Sequence, residues 1–249
     1  MDIIGIIPAR MGSSRFPGKP LAQILGRPMI EHVYSRTIKC SSFKDVVVAT
    51  CDDEIYQVVK SFGGNAVMTS SRHQRAADRV AEAARQFKAE LFVLVQGDEP
   101  MTVPDMIEEA IAPFSVDQSI QCVNLTKEIT IQDEYLDPNT IKVVMDTNRN
   151  ALFMSREPIP NIPGGDFSGI KAFKQVCIIP FKKETLRAFE KLDPTHLEVV
   201  ESIDMLRFIE NGIQVRMVET KYDTHAVDTP RDLELVSSRM KNDPLTFSY

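Results

Sequence analysis

Features that define several protein classes are missing from this sequence of 249 residues, which has no tryptophan. No run of about 18 apolar residues occurs, so we expect no membrane-spanning helix. We also expect no signal peptide, because Asp2 is acidic and the apolar run Ile3–Ile7 is short. The four cysteines are scattered and form no CxxC pair, which indicates neither a zinc site nor a disulfide framework. A cytoplasmic protein with reduced thiols is therefore expected.

A strong excess of one charge is also lacking. The chain has 29 Lys and Arg residues against 35 Asp and Glu residues, for a formal net charge of −6. This mild negative balance gives no support for binding to nucleic acid or a membrane surface, and we expect neither partner. Apolar residues make up 43% of the chain, which is enough for a full core. Because no linker or repeat divides the sequence, it predicts a single domain over residues 1–249.

Short apolar runs alternate with amphipathic segments in the first half of the chain. The amphipathic segments predict helices at Met29–Ile38, after Asp52, from Ala76 and near Pro104–Phe114. The apolar runs predict buried strands at Ile3–Pro8, Val46–Thr50, Ala66–Thr69, Leu91–Val95 and Ile120–Leu125. This order predicts an α/β fold with a mainly parallel sheet covered by helices on both faces. Ligands of such folds bind beyond the carboxyl ends of the strands, so the loops after the first, third and fourth strands are candidate site segments.

The pattern changes beyond residue 135. Two extended pieces, Ile141–Met145 and Ala151–Ser155, flank a turn-like segment and predict a β-hairpin within about residues 135–160. It is either a dimerisation arm, since exposed strand pairs need cover, or an ordinary internal hairpin. Further on, the sequence predicts one long helix, capped by Asp193 and ending at Gly212, with Val200 facing inward. A strand at Ile213–Val218 and a helix from about Pro230 are expected to follow.

A basic loop follows the first strand. Between Pro8 and Pro20 it holds Arg10, Arg15 and Lys19, with glycine and serine between them. Glycine lets backbone amides turn toward an anion, and the cations can neutralise phosphate oxygens. The segment predicts a nucleoside triphosphate site, with a solvated basic loop as the alternative. Absence of the GxxxxGK[ST] and GxGxxG patterns argues against a Walker-type loop and a dinucleotide-binding oxidoreductase.

Two carboxylates are candidate ligands for Mg²⁺. Asp98 follows the apolar run Leu91–Val95, and Gly97 before it permits a tight exit from a strand. Mg²⁺ needs only one or two carboxylates when phosphates and water complete its coordination shell. Asp228 is the second candidate, with the alternative that it caps the final helix. Asp98 could likewise only cap a turn.

These motifs give the chain a specific resemblance. It resembles the cytidylyltransferases that activate 3-deoxy-manno-octulosonate (Kdo), the CMP-Kdo synthetases, from residue 6 to residue 234. The motif Ile6–Leu21 is shared with broader sugar nucleotidyltransferases. The more specific matches are VQGDEP (Val95–Pro100), ALFMSREPIP (Ala151–Pro160) and VDTP (Val227–Pro230). The resemblance implies a Rossmann-like nucleotidyltransferase fold with a mainly parallel mixed sheet, flanking helices and a hairpin dimerisation arm, and it implies a homodimer that uses CTP and Mg²⁺.

The resemblance also implies a reaction and a set of site residues. CMP would pass from CTP to the anomeric hydroxyl of an acidic 2-keto sugar, Kdo or a close relative, with release of pyrophosphate, for the synthesis of surface polysaccharide or lipopolysaccharide. Asp98 and Asp228 would be the metal ligands, and Lys19 and Arg10 would complete the catalytic group. The implied nucleotide-binding residues are Pro8, Ala9, Arg10, Ser14, Arg15, Lys19 and Gln96, and the implied substrate-binding residues are Arg156, Gln175 and Glu198.

Some positions depart from the family pattern. The family motif H-x-S-G-T-[DE]-R corresponds to the segment His73–Arg79, where Arg75 replaces the serine. Gln175 stands where the family has histidine, and Val199 where it has glutamine. Either the acceptor differs from Kdo or these changes are drift with Kdo retained. A same-fold nucleotidyltransferase of the spore-coat type and a non-catalytic nucleotide-binding homologue are the remaining alternatives.

Overall fold

The structure, a computed structural model, describes residues 1–13, 15–162, 167 and 170–249. Its strands are β1 (Ile3–Ala9), β2 (Gln23–Ile24), β3 (Arg27–Pro28), β4 (Asp45–Thr50), β5 (Ala66–Met68), β6 (Leu91–Val95), β7 (Val123–Ile129), β8 (Lys142–Met145), β9 (Ala151–Ser155), β10 (Ala172–Val176), β11 (Ile178–Lys182) and β12 (Arg216–Glu219). Its α-helices are α1 (Met29–Thr37), α2 (Asp53–Ser61), α3 (Ala76–Ala84), α4 (Pro104–Ile111), α5 (Pro113–Val116), α6 (Gln132–Leu136), α7 (Lys183–Phe189), α8 (His196–Glu201), α9 (Met205–Glu210) and α10 (Pro230–Met240). In this part of the chain, none of the helices has the length and apolar character to cross a membrane.

The first sheet confirms the predicted mainly parallel α/β arrangement. Its strand order is β11-β6-β1-β4-β5, and all neighbours are parallel except β11, which is antiparallel to β6. Ile4 and Ile6 pack in one apolar cluster with residues of α3 and α7. Ile3 and Ile7 pack in a second cluster with residues of α1 and α4. The apolar runs are therefore continuous because both faces of the sheet are covered by helices.

A second sheet was not anticipated from the sequence. Its order is β12-β7-β10-β8-β9, in which β12 is parallel to β7 and the other pairs are antiparallel. The predicted hairpin is present as β8 and β9, and it forms one edge of this sheet. The strand expected at Ile120–Leu125 begins later and extends to Ile129. Cys177 alone separates β10 from β11, so the chain passes from one sheet to the other at this residue.

The prediction of a single long helix after Asp193 is wrong. The segment forms α8 and α9, which are separated at Ser202, a residue with left-handed φ of 58°. The N-cap of α8 is Thr195, whose N–H donates to the carboxylate of Glu198 three residues later. This T-x-x-E pattern starts the helix two residues beyond the expected cap. Val200, expected to face inward, is 66% exposed.

Candidate active site

A cavity of about 350 Å³ lies at the carboxyl ends of β1 and β6. The start of α3 and the break between α8 and α9 form further parts of its wall. Most residues proposed from the sequence line it, namely Pro8, Ala9, Arg10, Arg15, Lys19, Gln96, Asp98, Arg156, Gln175 and Asp228. Ser14 lies outside the described residues. The topology thus gathers motifs that are far apart in the sequence around one space.

Close backbone contact joins the two strand ends. A Cβ added to Gly97 would lie 2.6 Å from the carbonyl oxygen of Pro8. Real Cβ atoms do not approach a backbone oxygen this closely, so only glycine lets the loop after β6 pass against the end of β1. Gly97 therefore sets the distance between the nucleotide motif and the carboxylate of Asp98.

Lys19 lies between the two candidate metal ligands. Its ammonium donates to the carboxylate of Asp98, to Oδ1 of Asp228 at 3.1 Å and to the carbonyl of Val227 at 3.1 Å. Burial alone would lower the pKa of Lys19, but the two carboxylates outweigh it and raise the pKa. Asp228 is not the cap of the final helix, because that position belongs to Thr229. The carboxylates of Asp98 and Asp228 therefore face the same cation.

The basic loop is anchored by the side chain of Asp52. This residue occupies the N-cap position of α2, yet its side chain makes no capping hydrogen bond. Its Oδ2 instead accepts the N–H of Met11 at 2.8 Å. The carbonyl of Met11 in turn accepts the N–H of Gly18, which has a left-handed φ of 73°. The loop is thus closed on itself and tied to the end of β4, with exposed Arg10 on the cavity wall.

Arg15 extends the charged cluster toward the second sheet. Its Nη2 donates to Oδ1 of Asp228 at 2.8 Å, and its Nη1 donates to the side chain of Asn139. Asn139 belongs to a turn before β8 that also contains Pro138. The carbonyl of Pro138 accepts Nη1 of Arg156 at 3.0 Å. One turn therefore contacts both Arg15, from the loop after β1, and Arg156, which directly follows β9.

Arg156 is held mainly by backbone oxygens. Its Nε donates to the carbonyl of Glu201 at 2.7 Å, and the carboxylate of Glu201 accepts the Arg156 N–H at 2.8 Å. Burial lowers the pKa of Arg156, and the charge of Arg15 lowers it further. Gln175, the other cavity residue assigned to the sugar, donates to Asn124 Oδ1 at 2.6 Å.

Glu198 does not line the cavity with the other implied substrate residues. It is fully buried, and its carboxylate accepts Arg207 Nε at 2.7 Å and Nη2 at 2.6 Å. The structure therefore places it behind the wall, as the partner of a buried arginine. Val199 beside it is 58% exposed and does not line the cavity, so it takes no part in the acceptor wall.

Several wall and supporting residues were missed by the sequence reasoning, among them Ser202, Asp204 and Lys142. Ser202 and Asp204 line the cavity because α8 ends early, and no motif marked that break. Burial raises the pKa of Asp204 to about 6. Lys142 is fully buried and donates to the carbonyls of Asp137 at 2.9 Å, Thr140 at 2.7 Å and Arg156. A lysine inside an apolar strand was the available signal, since a buried ammonium needs several acceptors.

Comparisons with known proteins identify relatives over almost the whole chain. The family model described as "Cytidylyltransferase" matches residues 4–220. The 3-deoxy-manno-octulosonate cytidylyltransferase of Geobacter metallireducens is 42% identical, covering 96% of this chain and 98% of its own length. The protein of that name from Nitratidesulfovibrio vulgaris is also 42% identical, with 95% of each chain covered.

Solved structures agree with these relatives. A CMP:2-keto-3-deoxy-manno-octonic acid synthetase complexed with CTP superposes with a TM-score of 0.89 at 36% identity, covering 97% of this chain and 99% of the other. A 4-diphosphocytidyl-2C-methyl-D-erythritol synthase from Anaerococcus prevotii has a TM-score of 0.66 at 14% identity, covering 97% of this chain and 99% of its own. The second similarity concerns the fold alone.

Proposed function

This chain belongs to the cytidylyltransferase family, among the 3-deoxy-manno-octulosonate cytidylyltransferases, and we propose that it transfers CMP from CTP to Kdo with release of pyrophosphate. The observation that carries this proposal is the convergence of Lys19, Asp98 and Asp228 on one wall of the cavity. Phosphoryl transfer chiefly requires in-line placement and neutralisation of charge, which such a cluster provides. Relatives at 36–42% identity over almost the whole chain carry this activity in their names.

The proposed reaction is a direct displacement. The anomeric oxygen of Kdo forms a bond to the α-phosphorus of CTP, and the bond from that phosphorus to the bridging oxygen of the pyrophosphate breaks. The hydroxyl proton is released, and no covalent enzyme intermediate is needed. Arg10, Arg15 and Lys19 hold the triphosphate, and Pro8 and Gln96 help to seat the cytidine. Arg156 and Gln175 lie on the side proposed for the sugar.

We propose Asp98 and Asp228 as the ligands of Mg²⁺. The structure fits such an ion, because both carboxylates already approach one positive group, the ammonium of Lys19. Within the described residues, no cluster of three or more His, Cys, Asp and Glu side chains could hold a metal. Two carboxylates suffice when phosphate and water oxygens complete the shell. When bound, Mg²⁺ neutralises phosphate charge and favours deprotonation of the attacking hydroxyl.

We further propose a cytoplasmic homodimer that serves lipopolysaccharide synthesis. Support for the dimer comes from β9, which ends the second sheet and carries Leu152 with 59% of its surface exposed. The start of β9 already pairs with the segment before β12, since the Ala151 N–H donates to the Val215 carbonyl at 2.9 Å. The exposed surface around Leu152 is therefore what a second copy of the hairpin would cover. In this arrangement β8 and β9 are the dimerisation arm.

Pyrophosphate release tests the proposed activity. The wild-type protein is incubated with CTP, Mg²⁺ and Kdo, with sialic acid and 8-amino-Kdo as parallel acceptors. We expect release with Kdo and a product with the mass of CMP-Kdo. Release only with another acid would show that the acceptor has changed. Absence of pyrophosphate release with every acid would contradict the transferase activity and support a non-catalytic nucleotide-binding protein.

A further inference from the structure

Two arginines from distant parts of the chain meet at Ser202. Nη1 of Arg75, just before α3, donates to the Ser202 hydroxyl. Nη2 of Arg156, just after β9, lies 3.4 Å from the Ser202 carbonyl. All three residues line the cavity, at the place where α8 ends and α9 has not yet begun. The break between these helices therefore carries a pair of guanidinium groups on one part of the cavity wall.

Among the described residues no carboxylate forms an ion pair with the Arg156 guanidinium, although those of Asp228 and Glu201 act on its charge from further away. Its guanidinium donates to the carbonyls of Glu201, Pro138 and Ser202, which are neutral acceptors. Carbonyls satisfy the hydrogen bonds but do not cancel the charge. Since burial opposes the cationic form of this group, an anion beside it would be strongly favourable.

The charge of Arg75 is only weakly compensated, because the nearest carboxylates lie at long ion-pair distances. Its Nε lies 3.8 Å from Oε1 of Glu198 and 4.0 Å from Oδ1 of Asp204. Glu198 already accepts two shorter hydrogen bonds from Arg207. Arg207 is therefore the main partner of the Glu198 carboxylate. Nη2 of Arg75 donates to the Glu198 carbonyl at 3.2 Å, and the remaining N–H groups of this guanidinium can donate to a ligand in the cavity. Two guanidiniums that contact the same residue, Ser202, and form no close ion pair within the described residues are suited to a planar anion that accepts from both.

We propose that Arg75 and Arg156 together bind the carboxylate of the acidic sugar, and that Arg75 determines acceptor specificity in this chain. This proposal rests on the proposed function and adds to it the position of the acceptor's acid group. The family motif has serine at the position of Arg75, and a serine offers one neutral donor. A guanidinium offers a charged planar fork that selects for a carboxylate. A terminal phosphate of CTP is the other anion that could use the same groups.

Two substitutions and two acceptors test the proposal. Arg75→Ser restores the residue of the family motif, and Arg75→Lys keeps the charge without the fork. Each variant is assayed with Kdo and with the C1 primary amide of Kdo, which has the same hydroxyls but no carboxylate. Arg85→Ser is the matched control, because Arg85 lies at the other end of α3 and pairs with Glu190 at the surface. Thermal melting confirms that each variant is folded.

The expected result is a loss confined to the acid. Arg75→Ser should lower kcat/KM for Kdo by about 10- to 100-fold, the range for a hydrogen bond to a charged group. With the amide, the wild type should already be poor, and Arg75→Ser should change it less than about twofold. The kcat/KM of Arg75→Lys for Kdo should lie between those of the wild type and Arg75→Ser. The KM for CTP should stay unchanged in both variants. Arg85→Ser should behave as the wild type with both acceptors.

Several outcomes would overturn the proposal. Equal losses with acid and amide would assign Arg75 a structural role, and a higher KM for CTP would assign it to the triphosphate. Unchanged kinetics with Kdo would remove it from the site. If the wild type releases no pyrophosphate, the proposed function fails on its own. Calorimetric titration of Kdo into the wild type and Arg75→Ser then decides, and equal affinities would refute the arginine pair as a carboxylate site.

Discussion

The ammonium nitrogen of Lys19 lies 3.1 Å from Oδ1 of Asp228, although 209 positions separate the two residues in the sequence. The same nitrogen donates to Asp98. A loop after β1, a loop after β6 and the segment before α10 therefore meet at one charged point. Without the cation, the two carboxylates would repel each other in a partly buried site. Lys19 thus holds the carboxylates of Asp98 and Asp228, the proposed metal ligands, close together, and it is also a candidate contact for a phosphate group.

Replacement of Lys19 by methionine separates these two roles. Lys19→Met should lower kcat by about 100-fold or more, the loss typical for a removed charged donor at a transferring group. The same change should increase the stabilisation by Mg²⁺ alone, because two carboxylates are left without their cation. The measurements are pyrophosphate release and the melting temperature with and without Mg²⁺, in the absence of nucleotide.

Lys44→Met is the control for this experiment. Lys44 forms an exposed ion pair with Asp2, so its loss should change neither activity nor the response to Mg²⁺. Equal Mg²⁺-induced shifts in Lys19→Met and the wild type would count against Asp98 and Asp228 as the metal ligands.

The close approach of Gly97 to Pro8 predicts that replacing Gly97 by alanine lowers the stability of the protein more than most glycine-to-alanine changes. Gly97→Ala places a methyl group 2.6 Å from a backbone oxygen at the end of β1. Because the clash is with the backbone of a buried strand, its relief needs a backbone shift, and we expect a loss of about 3 kcal/mol in stability and a large loss of activity. Gly212→Ala is the comparison, since its added Cβ meets nothing and only the positive φ of 72° is unfavourable. That variant should lose about 1 kcal/mol and keep its activity. Equal losses in the two variants, measured by urea unfolding, would contradict this account.

The carboxyl group of Asp204 predicts a pH dependence of stability. Burial raises its pKa from the ordinary 3.8 to about 6, against the opposing effects of the Ala77 N–H and Arg75. Asp78 and Glu198 raise it further. Between these two pKa values the folded protein binds a proton that the unfolded chain does not. This group therefore stabilises the fold increasingly as the pH falls through 6 toward 4, and that contribution is lost as the pH rises.

Asp204→Asn tests this sign. The amide oxygen can still accept the Ala77 N–H, and it carries no charge at any pH. The melting temperature of the variant minus that of the wild type should be more positive at pH 7.5 than at pH 4.8, by about 2–5 °C for about 1–2 kcal/mol in a chain of this size. Asp223→Asn, at a side chain that is 83% exposed, is the surface control. A difference of the opposite sign would contradict the raised pKa.

The first sheet could be predicted because its residues carry a simple pattern. Strands β1 and β6 are apolar at nearly every position, which happens only when helices cover both faces. Strands such as β10 carry Lys174 and Gln175 between apolar residues, and this mixed pattern is not distinctive. Their position depends on pairing with β7 and β8, which are distant in the sequence. The second sheet was therefore not predictable from local pattern alone.

The candidate site could likewise be predicted from the sequence only in part. Residues in compact motifs, such as Arg15 and Asp98, lie on the cavity wall because the strand ends fix their position. Asp204 was missed because it reaches the cavity only through the left-handed conformation of Ser202, and a serine gives no signal for it. Helical spacing counted through this break also gave Val200 the wrong environment.

The burial of Glu198 predicts that stability, more than substrate binding, depends on it. Glu198→Gln removes the charge that pairs with buried Arg207, which among the described residues then keeps Asp78 as its acidic partner. We expect a loss of about 2–4 kcal/mol, because the arginine stays buried with less counter-charge. The KM for Kdo should change less than about threefold at 20 °C, where the variant is folded. Glu219→Gln, in an exposed pair with Arg149, is the control. A large rise in KM without a loss of stability would instead support direct contact with the sugar.

The hairpin of β8 and β9 leads to a prediction about assembly. Leu152 lies on the edge strand of the second sheet and is 59% exposed. In a dimer built on this hairpin, a charge at that position would have to be buried without a partner, which is strongly unfavourable. Leu152→Glu should therefore halve the mass measured by light scattering and leave the monomer folded. Val116→Glu is the matched control, because Val116 is 86% exposed on α5, outside the hairpin. A wild-type mass of one chain would refute the dimer, and a dimer that persists in Leu152→Glu but not in Val116→Glu would move the interface away from the hairpin.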